Sequence, residues 1–166
     1  MHFEVLIDKQ ENPRKCTLTP LIERPDFRVR YFQRNRTIAY LSADFLLHID
    51  GKPLPELLGE SKTANSIAVI DCIWRHVEGI CNKIEKPWPT LARIPEGFQT
   101  AYPRKNKAGQ DPEGGLATNE ALFIAAAFCG HWDTSLLSDY YFAEEFLKIN
   151  EAAWGRYGLT TYVETK

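Results

Sequence analysis

The sequence predicts an α/β protein whose front half is rich in strands and whose back half is helical. The run IAVI at residues 67–70 has no polar position, as in a strand buried on both faces of a sheet. After Thr118, the apolar spacing and the position of Gly130 are typical of helices. The 166 residues, 44% hydrophobic and 12% aromatic, can bury a core. We expect an α/β half over residues 1–90, a mainly helical half over 91–166, and a ligand cleft between them.

Short apolar or alternating segments predict the strands of the front half. They lie at residues 2–8, 28–33, 36–41 and 67–72. The stretch DGKPLPELLGESKTAN, from residue 50 to 65, has the composition of turns, with room for one helical turn. Another short helical turn is predicted after Thr17.

The back half begins with a break in regularity. Residues 74–84 favour a helix, and residues 85–115 form a long loop with several prolines and glycines. At the next helix we expect Thr118 as the N-cap, Glu120 in the first turn and Gly130 as the stop. Residues 133–158 then predict one or two amphipathic helices.

Basic residues are concentrated in two places, although the net charge is only −2. Residues 24–36 hold five arginines and a single carboxylate, and the long loop holds a second cluster. Mixed with Tyr31 and Phe32, such cations suit RNA phosphates and stacked bases. The alternative is a strand with a solvated face. The candidate RNA-binding residues are Arg28, Arg30, Arg34, Arg104, Lys105 and Lys107.

The remaining composition narrows the function classes. The four cysteines form no C-x-x-C pair and the four histidines are scattered, so we expect reduced, structural cysteines and no metal site. No apolar run approaches the roughly 20 residues of a membrane span. The beginning of the sequence lacks the layout of a signal peptide, which predicts a cytoplasmic protein.

Asp71 and Trp74 follow the most apolar strand and lie near the junction of the two halves. A carboxylate at the end of a buried strand either caps a turn or serves a site. An indole at this point is either core or part of a binding surface. The residues alone leave both interpretations open.

Four motifs in order give the sequence a family resemblance. They are D-x-x-x-x-P-R-K-C-T from Asp8 to Thr17, V-I-D-C-x-W from Val69 to Trp74, N-E-A-L from Asn119 to Leu122, and F-L-K-I-N-E from Phe146 to Glu151. Together they resemble the small-subunit rRNA aminocarboxypropyltransferases of archaea and eukaryotes, over most of the chain.

The resemblance implies a SPOUT-like architecture. The N-terminal half would hold a largely parallel sheet, and the C-terminal helical half would be threaded into a deep trefoil knot. S-adenosylmethionine would bind between the halves of a monomeric protein. The implied reaction transfers the 3-amino-3-carboxypropyl group to N3 of a uridine-type base in structured RNA, in ribosome biogenesis, and leaves methylthioadenosine.

The resemblance also implies roles for particular residues. Thr17 would meet the amino acid end of the cofactor, and Trp74 would cover the methyl group and favour the sulfonium by cation–π attraction. Asp71 would be the carboxylate near the reacting centre, where it could accept the N3 proton. Backbone groups would hold adenosine at Leu41, Ile94 and Leu116.

One stretch departs from the family pattern and leaves two alternatives open. Residues 100–109, TAYPRKNKAG, replace the usual A-A-N-P-x-N-Y-G and are followed by a Gly-rich insertion. The alternatives are a SPOUT-type RNA methyltransferase, which exposes the methyl group instead, and a non-catalytic RNA- or ribosome-binding module.

Overall fold

A computed structural model describes residues 1–9, 16–33, 35–59, 63–103 and 115–159. Within them, five strands form one sheet in the order β2-β1-β4-β3-β5, and every pairing is parallel. The strands are β1 (His2–Asp8), β2 (Phe27–Phe32), β3 (Phe45–Pro53), β4 (Ser66–Asp71) and β5 (Thr90–Arg93). The predicted α/β class and the parallel sheet are confirmed.

Among the described residues, two short helices lie between strands, and three more follow β5. They are α1 (Leu54–Leu58), α2 (Val77–Cys81), α3 (Thr118–Phe128), α4 (Ala143–Ile149) and α5 (Glu151–Arg156). Short 3-10 turns lie at Thr19–Leu21, Trp74–His76 and Thr134–Leu137. No helix of the described ranges is long and apolar enough to cross a membrane.

The central pair β1–β4 separates two hydrophobic clusters. Successive side chains of a strand point to opposite faces, so Phe3, Val5 and Ile7 join one cluster while Leu6 joins the other. Helix α3 covers the first face, and Phe123 and Ile124 within it are fully buried. Burial on both faces explains the continuous apolar runs at residues 5–7 of β1 and 67–70 of β4.

The ends of α3 differ in one detail from the prediction. Gly130 adopts φ 84° and follows the helix as its stop, as expected. The N-cap, however, is Ala117, and Thr118 is the first helical residue. Glu120 compensates for the missing cap side chain, because its Oε2 accepts a hydrogen bond from the Ala117 backbone N–H at 2.8 Å.

Two strands were missed and one was wrongly predicted. Residues 36–41 form no strand, and only Ile38 makes a single bridge, to Ile84. Strand β3 begins at residues 45–49, to which no element was assigned, and ends in the segment assigned to turns. Strand β5 lies in the predicted long loop. The boundary expected after residue 90 falls at the start of β5, and the division into halves stays a prediction.

An irregularity in β3 shapes the edge of the sheet next to β5. The pairing shifts between Leu47 and Lys52, both of which lie opposite Ala92, so residues 48–51 bulge out of the ladder. Gly51 sits against β5 so closely that a Cβ atom there would lie 2.5–2.7 Å from three backbone atoms of Ala92. Only glycine permits this approach.

Candidate active site

A cavity of about 340 Å³ opens at the carboxyl ends of β4 and β5, beside the bulge in β3. The sheet contributes Leu47, His48, Ile49, Ile70, Arg93 and Ile94 to its wall. The segments after β4 and around the start of α3 contribute Cys72, Trp74, Val77, Leu116, Thr118 and Ala121. The cavity therefore lies where ligands bind in parallel α/β sheets.

Asp71 is held by two side chains from distant parts of the sequence. The Thr118 hydroxyl donates to Oδ1 at 2.7 Å, and the Cys16 thiol donates to Oδ2 at 3.0 Å. Burial raises the pKa of Cys16 to about 12, with further contributions from the charge and hydrogen bond of Asp71. Cys16 is therefore a protonated donor at neutral pH and no nucleophile.

Thr17 belongs to the same cluster. Its hydroxyl oxygen accepts from the Asn119 backbone N–H at 3.5 Å, the long end of hydrogen bonding. The first turn of α3 is thus hydrogen-bonded to the end of β4 and to residues 16–17. Side chains separated by about fifty residues or more in sequence are brought together at the end of β4.

Glu120 holds the segment that follows β5 against the start of α3. The carboxylate is fully buried. It accepts from the Thr100 hydroxyl at 2.6 Å, the Ala101 backbone N–H at 2.9 Å and the Tyr140 hydroxyl at 2.7 Å, besides the Ala117 backbone. One carboxylate thereby ties the segment after β5 to α3 and to the helical region beyond it.

The structure brings most of the predicted cofactor residues together. Trp74, Ile94 and Leu116 line the cavity. Asp71 lies beside it and accepts a hydrogen bond from Thr118, which is part of the wall. Thr17 is hydrogen-bonded to the backbone of Asn119, the residue after Thr118. Their roles toward a ligand stay predictions.

Leu41 is placed elsewhere. It is 4% exposed and packs in the second hydrophobic cluster, on the sheet face with Leu6, Phe32 and Ile38. It does not line the cavity, because the segment expected to be a strand passes over that face. Leu47 of β3 does line the cavity.

Two of the predicted RNA-binding residues are described, and they differ. The Arg28 side chain is 68% exposed on the edge strand β2. Arg30 lies 2.9 Å from Glu4 Oε1 and donates to the carbonyls of Ala39 and Tyr40. Its guanidinium therefore already has partners within the protein. Arg34, Arg104, Lys105 and Lys107 lie outside the described residues.

Sequence reasoning missed the β3 and β5 contributions to the cavity, including His48, Ile49 and Arg93. A signal for β3 existed, because FLLHI at residues 45–49 is a short apolar run followed by Asp-Gly. Arg93 had none, since one arginine between prolines is typical of any loop. Within the described ranges, no group of three or more His, Cys, Asp or Glu side chains could hold a metal.

Comparison with known proteins identifies the fold. The SAM-dependent rRNA:acp-transferase Tsr3 from Vulcanisaeta distributa has a similar structure, with a TM-score of 0.67 and 22% sequence identity. The match covers 94% of this chain and 82% of that one. The resemblance inferred from the four motifs is therefore confirmed at the level of the fold. No protein-family model matches the sequence, and neither does any curated protein.

Proposed function

We propose that this protein transfers the 3-amino-3-carboxypropyl group of S-adenosylmethionine to a uridine-type base in ribosomal RNA. The observation that carries the proposal is the cavity beside Trp74 and the Asp71 cluster, at the switch from sheet to helices in a fold shared with an rRNA transferase. The fold alone would not specify the reaction.

The residues present fit such a cofactor. The volume of about 340 Å³ lies within the range of about 300–1,000 Å³ typical of small-molecule sites. The wall combines aliphatic side chains with one indole, which suits an adenosine and a sulfonium. We assign the backbone at Ile94 and Leu116 to adenosine, and Thr17 with Asp71 to the amino acid end.

Trp74 would decide which carbon reacts. When bound, S-adenosylmethionine supplies a sulfonium with three attached carbons, each open to attack. An indole packed over the methyl group would shield that carbon and leave the aminocarboxypropyl carbon accessible. Alignment of the nucleophile then contributes most of the rate enhancement.

Asp71 would receive the proton that leaves N3 of the base. Thr118 and Cys16 use one lone pair on each carboxylate oxygen, and each oxygen keeps another. The two donors fix the carboxylate orientation before the substrate arrives, which is what a proton acceptor needs.

Calorimetric titration tests the proposal. The protein should bind S-adenosylmethionine and methylthioadenosine with comparable affinity, and Trp74→Ala should weaken both by about tenfold or more. Tyr141→Ala is the matched control, since that ring is 91% exposed. Incubation with RNA should release methylthioadenosine. Release of S-adenosylhomocysteine would instead establish methyl transfer, and RNA binding without cofactor binding would establish a non-catalytic module.

Other features follow from the proposed family. We infer a SPOUT-like fold with the deep trefoil knot, a monomer without a metal, and a cytoplasmic location in ribosome biogenesis. The location is supported by the cysteines, because all four are free thiols, as expected in a reducing compartment. Size-exclusion chromatography with light scattering would test the monomer.

A further inference from the structure

Arg93 lines the cavity and has no partner among the residues that the structure describes. It is the last residue of β5, is partly buried, and lines the wall next to Ile94. No hydrogen bond or ion pair to its guanidinium is found with any described residue. Arg30, by contrast, is paired with Glu4 and two carbonyls. A guanidinium that the fold leaves unpaired inside a concave surface is available to an anion.

The described residues that line the cavity with Arg93 include no carboxylate. The carboxylate of Asp71 lies outside the wall, and both of its oxygens are engaged by Cys16 and Thr118. The cavity is therefore locally positive in a protein whose net charge is −2.

His48 adds a second donor on the neighbouring strand. Its Nδ1 accepts from the Asp50 backbone N–H at 3.2 Å, so the neutral ring carries its proton on Nε2. The Asp50 carboxylate lies 3.6 Å from the same nitrogen. The bulge of β3 thus places an N–H donor in the same wall as Arg93.

Two exposed aliphatic side chains lie in the wall or next to it in sequence. Ile49 on the bulge is 56% exposed, and Ile73, between β4 and Trp74, is 41% exposed. A mouth with cationic donors and apolar surface matches a nucleotide, which joins an anionic phosphate to a flat base.

We propose that Arg93 binds a backbone phosphate of the RNA whose base enters the cavity, with His48 as the second donor. This inference rests on the proposed function. The carboxylate of the cofactor is the other anion to consider, but its assigned place is at Thr17 and Asp71, at the end of β4. Strand β5 lies two positions from β4, about 10 Å across the sheet. Arg93 thus lies at the far side of the cavity from that end.

The salt dependence of RNA binding tests the inference directly. A fluorescent single-stranded oligouridylate is titrated with wild type, Arg93→Gln, Arg93→Lys and Lys148→Gln between about 50 and 200 mM salt. Each phosphate contact contributes about 0.7 to the slope of log K against log salt for single strands. Arg93→Gln should bind about tenfold more weakly, with a slope shallower by about 0.7. Arg93→Lys should keep the slope, because a lysine also neutralises a phosphate.

Two controls separate the possible outcomes. Lys148→Gln removes the same charge from an exposed site on α4 and should leave the slope unchanged. Calorimetry with S-adenosylmethionine and methylthioadenosine is repeated on Arg93→Gln. An unchanged slope for Arg93→Gln overturns the inference. So does a result in which this variant binds S-adenosylmethionine more weakly but methylthioadenosine as before, because that would place the cofactor carboxylate on Arg93. If the wild type binds neither S-adenosylmethionine nor methylthioadenosine, the proposed function is overturned instead. The slope of log K against log salt would then still show whether Arg93 contacts a phosphate.

Discussion

The two ends of the cavity are built differently. At the end of β4, the oxygens of Asp71 are hydrogen-bonded by Thr118 and Cys16, and the donors come from elements far apart in the chain. At the end of β5, Arg93 has no partner among the described residues, and the adjacent strand bulges. At the first end, protein side chains supply the hydrogen-bond partners of Asp71. At the second end, the charge of Arg93 is available to a ligand.

The difference follows from how the sheet is covered. Strands β1 and β4 are central and lie beneath α3, so polar groups at their ends must find protein partners. Strand β5 is an edge strand that pairs with only one neighbour, β3. A polar side chain at an edge can remain accessible without the cost of burying an unpaired charge. Under the proposed function, pre-organised chemistry belongs to the β4 end and RNA recognition to the β5 end.

Gly51→Ala should have the largest effect, because it breaks the β5 end. The added Cβ would lie 2.5–2.7 Å from the backbone of Ala92, and a strand backbone cannot move aside as a flexible side chain can. We expect a loss of about 3 kcal/mol or more in the free energy of unfolding, measured with urea.

Gly79→Ala is the matched control for that substitution. Its Cβ would meet no atom within 4 Å, and the residue lies inside α2. Alanine there should stabilise the protein by about 0.5–1 kcal/mol. Equal stability of Gly51→Ala and wild type would mean that the bulge is not held against β5, and the account of the cavity wall would fail.

The two ends also differed in how far the sequence predicted them. Strands β1 and β4 and helix α3 were predicted because burial on all sides forces continuous apolar runs, which a single sequence reveals. Strand β3 was missed because its bulge interrupts the run with His48, Asp50 and Gly51. The conformation of a bulge depends on the strand it pairs with, here β5 at Ala92. The local sequence pattern does not reveal that partner.

The site itself was predicted only where motifs carried it. Trp74, Ile94 and Leu116 came from the family resemblance and do line the cavity. Leu41 packs in the second hydrophobic cluster, and its backbone contact to adenosine stays a prediction. The hydrogen bonds of Asp71 to Cys16 and Thr118 depend on tertiary folding, since 55 and 47 residues separate the partners.

Glu120→Gln should have the next largest effect and acts near the β4 end. The buried carboxylate receives four donors, and an amide would present its own N–H groups to some of them. The backbone N–H groups of Ala101 and Ala117 donate to different oxygens of Glu120 and cannot reorient. In either orientation of the amide, one of them therefore faces an NH₂ group and loses its acceptor. We expect a loss of about 2–3 kcal/mol in the free energy of unfolding. Glu151→Gln, at an exposed position of α5, should change it by no more than about 0.5 kcal/mol. Equal effects of the two variants would contradict a buried network.

The smallest effect concerns the thiol at the β4 end and appears only at alkaline pH. The pKa of Cys16 is raised from 9.0 to about 12, first by burial and then by the charge and hydrogen bond of Asp71. Above about pH 9 the unfolded chain loses this proton while the folded protein keeps it, so stability falls as pH rises toward 12. The contribution is at most about 1.4 kcal/mol per pH unit.

Replacing the thiol isolates this contribution from the other groups that titrate in the same range. Urea unfolding of wild type and Cys16→Ala is compared from about pH 8 to pH 10.5, and the wild type should lose stability more steeply above about pH 9. Asp71→Asn removes the second and third causes but leaves burial, the largest, so it should retain the steeper loss near pH 9. Parallel curves for wild type and Cys16→Ala would mean that the thiol ionises as readily in the folded protein as in the unfolded chain. The β4 end would then be as open to solvent as the β5 end, and the contrast between them would disappear.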